Sequence, residues 1–76
     1  MNTQLIRQRL HEDTKPFVFR LSDGTRVRVA HPDFVAVAPG MVFVIGENYS
    51  VTKIDPLHVA AIEEGRQKKS NGKRSR

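Results

Sequence analysis

Cysteine and tryptophan are both missing from the 76 residues. Without thiols there is no disulfide framework and no thiolate metal site. Long apolar runs are missing as well, and none approaches the roughly 20 residues that span a bilayer. The opening stretch MNTQLIRQRLHED lacks the continuous apolar segment of a secretion signal. A cytoplasmic protein without a membrane partner is therefore expected. Apolar residues amount to only 38%, and a chain this short buries only about 60% of its unfolded surface. The expectation is one small domain with a thin core.

Acids are missing from the last eleven residues, RQKKSNGKRSR. That segment holds Arg66, Lys68, Lys69, Lys73, Arg74 and Arg76, and no apolar side chain. The formal net charge is +5, yet residues 1–65 carry seven basic and eight acidic groups, for −1. All of the positive excess is thus in the tail. With nothing to bury, residues 66–76 are expected to be a disordered basic tail. The folded domain is then 1–65. Such a tail holds phosphates non-specifically and lets go as salt rises.

The spacing of Leu5, Ile6 and Leu10 predicts a helix over 3–12, capped by Asn2 or Thr3, with Leu5, Ile6 and Leu10 on its buried face. Lys15-Pro16 ends it. Phe17, Phe19 and Leu21 alternate with Val18 and Arg20, and Val27 and Val29 alternate with Arg26 and Arg28. Ser22-Asp23-Gly24 between them is a hairpin signal. A two-residue loop would pair Phe19 with Arg28 and mix the faces. A three-residue loop with Gly24 left-handed pairs Phe19 with Val27 and Phe17 with Val29, which keeps one face apolar. That register sets Arg20 opposite Arg26, with Arg28 on the same face. The arrangement reads as an anion-binding face, or as a solvated face neutralised by a nearby carboxylate, with Asp13, Asp23 and Glu47 as candidates.

His31-Pro32-Asp33 marks a turn, His31 holding it by local hydrogen bonds, and 33–38 reads as a third strand. Pro39-Gly40 suits the centre of a type II turn. Met41, Val42, Phe43, Val44 and Ile45 form an all-apolar strand, either covered on both faces or an oligomer interface. Residues 49–54 read as a fifth strand whose mixed face suggests a bulge. Asp55-Pro56 resembles a cap followed by proline, opening one tight turn, and 59–62 reads as a closing strand. The fold class expected is mainly β with an N-terminal helix: a small, strongly bent antiparallel sheet or an SH3/Sm-like barrel of about five strands.

Pro16-Phe17, Arg20-Leu21-Ser22-Asp23-Gly24, His31-Pro32-Asp33-Phe34-Val35, Ile54-Asp55, Leu57-His58-Val59 and Ile62-Glu63 together resemble a family of short uncharacterised bacterial proteins. The resemblance spans residues 3–64 and omits the tail; it implies no activity. The architecture also resembles the Sm-like fold of bacterial RNA chaperones, which form rings and bind RNA. Asp55-Pro56-Leu57 falls where that fold has its last tight turn. Its RNA-contacting motif has no match here, with Lys53 and His58 nearest to that place.

Catalytic chemistry is not visible. His11, His31 and His58 show no ligand spacing, and no nucleophile motif surrounds Ser22, Ser50, Ser70 or Ser75. A domain this small is expected to have little room for a pocket of about 300 Å³. No catalytic residue, metal or cofactor is expected. The expected function is binding: nucleic acid, RNA before DNA, held by the tail and by Arg20, Arg26 and Arg28. Tyr49 is the stacking candidate, and Phe34 a second if it lies outside the barrel. The alternative is a protein-interaction or assembly module that oligomerises through Met41–Ile45.

Overall fold

The computed structural model describes residues 1–64. The elements are α1 (Thr3–Glu12), β1 (Phe17–Leu21), β2 (Arg26–Val29), β3 (Val35–Ala38), β4 (Met41–Ile45), β5 (Val51–Ile54) and β6 (Val59–Glu64). Helix α1 begins where Asn2 accepts the Gln4 N–H through its side chain at 2.7 Å, which satisfies one of the orphan donors of the first turn.

The strands form two antiparallel sheets, in the orders β2-β1-β6 and β3-β4-β5. The expected barrel is therefore corrected: among the described residues no ladder joins the two sheets, and the six strands match the six strand segments of the sequence. Two similar turns explain the split. Pro32–Phe34 and Pro56–His58 are single 3-10 turns, each with a buried proline at its start. The His31 imidazole caps the first by accepting the Asp33 N–H at 3.0 Å, and the Asp55 carboxylate caps the second by accepting the Leu57 N–H at 2.9 Å. Each redirects the chain from one sheet to the other. This is why β3 starts at Val35 instead of residue 33, and why the strand expected from 59 follows directly after His58.

The β1–β2 register is the one the three-residue loop requires: Phe17 pairs with Val29, Phe19 with Val27 and Arg20 with Arg26. Gly24 has φ 91°, a conformation that favours glycine. The ladder irregularity lies between Arg20 and Leu21 where β1 meets β6, whereas β5 pairs regularly with β4.

The core sits between the inner faces of the two sheets. Ile6, Phe17, Phe19 and Val29 meet Val42, Val44, Ile54 and Val59. Phe17 and Phe19 pack edge to face with ring centroids 5.1 Å apart, a favoured aromatic geometry. Helix α1 bridges the sheets. Its Arg7 donates to the Val37 carbonyl on β3 at 3.0 Å, and its Arg9 reaches Glu64 on β6. Of the expected helix face, Ile6 is buried and Leu10 half-buried, but Leu5 is 54% exposed and Arg9 takes the inward position.

The reading of β4 also needs correction. It is the central strand of its sheet, hydrogen-bonded on both sides, so it has no free edge for oligomerisation. Val42 and Val44 are core residues. Only Met41, Phe43 and Ile45 point to the outer face, and of these Ile45 is exposed.

Candidate nucleic-acid interface

Strand parity sends alternate residues of β1, β2 and β6 to opposite faces. Phe17 and Phe19 go inward; Val18 and Arg20 go outward with Arg26, Arg28 and Glu63. Arg20 and Arg26 are direct cross-strand neighbours, an arrangement that repulsion makes mildly costly. Glu63 offsets it. Its carboxylate lies 2.9 Å from Arg26 Nε and 3.3 Å from Arg20 Nε. The geometry is good for one partner only: Arg26 donates a hydrogen bond to Glu63, while the shielded Nε of Arg20 has no hydrogen-bond acceptor. Arg28 has no ion pair among the described residues. Three guanidinium groups thus lie on one face with a single carboxylate, which pairs with Arg20 and Arg26 only.

None of the three acids expected to neutralise the face does so. Asp13 lies 3.3 Å from Arg9. Asp23 accepts the Thr25 N–H at 2.9 Å, and that bond, with a second from the Thr25 side chain, holds its pKa below the ordinary 3.8. Glu47 lines a cleft that Arg28 also lines, without an ion pair between them. Sequence reasoning passed over Glu63 because an acidic pair at the end of a strand usually only meets solvent. Alternation along β6 was the available signal, since it sends Glu63 and Glu64 to opposite faces.

Glu64 turns to the inner side. It accepts from Arg9 through both oxygens at 2.9 Å, and the same guanidinium lies 4.5 Å above the Phe17 ring. Arg9 is only 5% exposed. The Glu64 hydrogen bonds raise its pKa, against the opposing pull of burial.

At the corner where the two sheets adjoin, a cleft of about 320 Å³ opens. The expectation of too little room for such a space is thereby corrected. Arg28, Ala30, Phe34 and Ile45 line it together with the β4–β5 turn. Phe34 is 44% exposed, because the Pro32–Phe34 turn carries it outside the core. The same turn of the chain, Gly46 to Ser50, presents Tyr49 with its side chain 87% exposed and φ at 63°. A non-glycine residue in that region is strained. The cleft therefore joins Arg28 of the arginine face to Phe34, one of the two stacking candidates; Tyr49 lies in the adjoining turn and does not line it.

Lys53, His58, Asp23 and Asp55 share another open cleft of about 410 Å³; its paired carboxylates make it a poor anion site. Among the described residues no group of three or more His, Asp or Glu could hold a metal ion, and no helix is long and apolar enough to cross a membrane. Arg66, Lys68, Lys69, Lys73, Arg74 and Arg76 lie outside the described residues. β6 ends at Glu64, two residues before the first of them. Comparison with protein-family models, with curated proteins and with solved structures finds no match.

Proposed function

We propose that this chain is a small nucleic-acid-binding module, with RNA favoured over DNA, that holds the phosphate backbone on Arg20, Arg26 and Arg28 and on its basic C-terminal segment. The observation that carries the reading is a face of three outward arginines with one carboxylate, Glu63, which pairs with Arg20 and Arg26 and leaves Arg28 without an ion pair among the described residues. The strand that supplies Glu63 leads within two residues into a run of six cations. RNA is favoured because its sequence-specific recognition usually targets unpaired, splayed bases, and two aromatic side chains are exposed, Phe34 in the cleft that Arg28 also lines and Tyr49 in the β4–β5 turn.

The test is fluorescence-anisotropy binding of a short single-stranded RNA across a salt series, with full-length protein and a 1–65 truncation. The core found among the described residues lies wholly within 1–64, so the truncation removes none of it. The reading predicts weaker but measurable binding by 1–65, lost on Arg26→Ala with Arg28→Ala. Binding by the full chain alone, unchanged by those substitutions, contradicts a site on the folded body.

A second reading is self-association through the outer face of β3-β4-β5, which leaves Ile45 40% and Val51 59% exposed. It predicts a mass that rises with concentration and falls back on Val51→Lys. Val51 is the suitable probe, because Val44 is buried and its substitution would disturb the core.

A further inference from the structure

We infer that the cleft between the sheets receives one unstacked base of a single strand, set against Phe34, while the adjoining phosphates lie on Arg28 and Arg26. The inference rests on the nucleic-acid reading and adds to it a discrimination between single strands and duplexes.

Four features of the cleft support it. Its volume, about 320 Å³, falls at the small end of ligand pockets, which suits one flat ring and not a peptide side-chain array. Its walls are apolar at Ala30, Phe34 and Ile45 and polar at Asn48 and Ser50, matching a base with its π-faces and its polar edge. Phe34 lies in a proline-initiated turn and is 44% exposed; the ring is held in place by the backbone. It is flanked by the His31 ring at 6.1 Å between centroids. Finally, Arg28 belongs both to the cleft wall and to the arginine face. Arg26 follows it two residues away on the same side of β2, about 7 Å along the strand. Charge complementarity thus places the backbone of the strand, and the cleft its base. Glu47 also lines the cleft and repels a phosphate inside it, which leaves the backbone to the arginine face. A duplex keeps its bases stacked inside and cannot enter a cleft of this kind without extruding one.

The experiment uses the full chain with a single-stranded RNA carrying one 2-aminopurine, and with the corresponding duplex. Binding should change the 2-aminopurine fluorescence of the single strand. Phe34→Ala should weaken single-strand binding roughly tenfold, the loss expected for one stacked base, and leave duplex binding unchanged. Phe34→Trp should restore it. Ala30→Trp, which fills the cleft from its other wall and leaves the Phe34 turn intact, should lower single-strand affinity in the same way. Arg28→Ala should weaken both ligands. If Phe34→Ala and Ala30→Trp leave the ratio of single-strand to duplex affinity unchanged while Arg28→Ala still weakens both, the base site is overturned and the nucleic-acid reading stands. If Arg28→Ala and Arg26→Ala affect neither ligand, the reading itself fails. If Phe34→Ala changes only the concentration dependence of the protein's mass, the cleft is a contact between copies and the proposal is overturned.

Discussion

Glu63 serves two arginines unequally, and the imbalance is informative. A carboxylate has two oxygens in one plane; here it satisfies Arg26 and leaves the Nε of Arg20 without a hydrogen bond. An exposed pair of this kind adds little stability, so its removal is felt in binding before folding. Glu63→Gln is expected to tighten RNA binding several-fold at low salt, with melting temperature nearly unchanged, as read by anisotropy and thermal scans. Tyr49 shows the opposite balance. Its left-handed backbone costs about 1 kcal/mol, and its ring is almost wholly exposed. Tyr49→Gly is expected to stabilise the fold by about that amount in denaturant titrations and to weaken RNA binding. Asp23 has a purely structural role in the loop. Its pKa is depressed in the folded state, so its contribution is present at neutral pH and is lost as the pH falls below 3.8. Asp23→Asn should therefore lower the melting temperature at pH 7, by an amount that shrinks as the pH is taken below 3.8 through the depressed folded-state value, compared by thermal scans of both proteins.

At the scale of elements, the β1–β2 hairpin and the two 3-10 turns were legible because each is fixed by local chemistry. Parity among Phe17, Phe19, Val27 and Val29 allows one loop length, and Gly24 supplies the positive φ it needs. His31-Pro32 and Asp55-Pro56 each carry a cap and a preset φ. Helix α1 was legible in its limits and in part of its facing: Ile6 and Leu10 pack on the core, while Leu5 is exposed and Arg9 is buried in its stead. Its burial is decided by a long-range partner, Glu64, which brings a charged residue inward where the pattern of leucines pointed elsewhere. That pairing has an asymmetric consequence. Arg9 is buried while the Glu64 side chain is 55% exposed. Glu64→Gln leaves a buried guanidinium with weaker acceptors and should cost about 1.5–3 kcal/mol. Arg9→Met keeps apolar contact with Phe17 and leaves Glu64 to water, so it should cost less. Denaturant unfolding of the two variants decides the order.

For the whole molecule, the question left open by the sequence was how short strands of mixed polarity close on one another. Strand count and bending were readable from turn spacing; closure was not, because it depends on whether β2 and β3 continue a ladder across the Pro32 turn. That turn and its counterpart at Pro56 separate the chain into two sheets, with α1 laid between them. The separation opens the corner cleft and brings Phe34 and the β4–β5 turn beside Arg28. The candidate site is thus a product of topology. Arg20, Arg26, Arg28 and Tyr49 could be named from the sequence, but the approach of Phe34 to Arg28 across the two sheets depends on the turns, and the role of Glu63 on the long-range pairing of β1 with β6.

The salt dependence of RNA binding by the wild type, Arg26→Ala and Glu63→Gln is the most direct test of the arginine face. Each phosphate contact on a single strand contributes a slope of about −0.7 to log affinity against log salt. The account predicts a slope shallower by about 0.7 for Arg26→Ala and a steeper slope with higher affinity for Glu63→Gln. Identical slopes for all three proteins would contradict it, and would leave the basic C-terminal segment as the only phosphate contact.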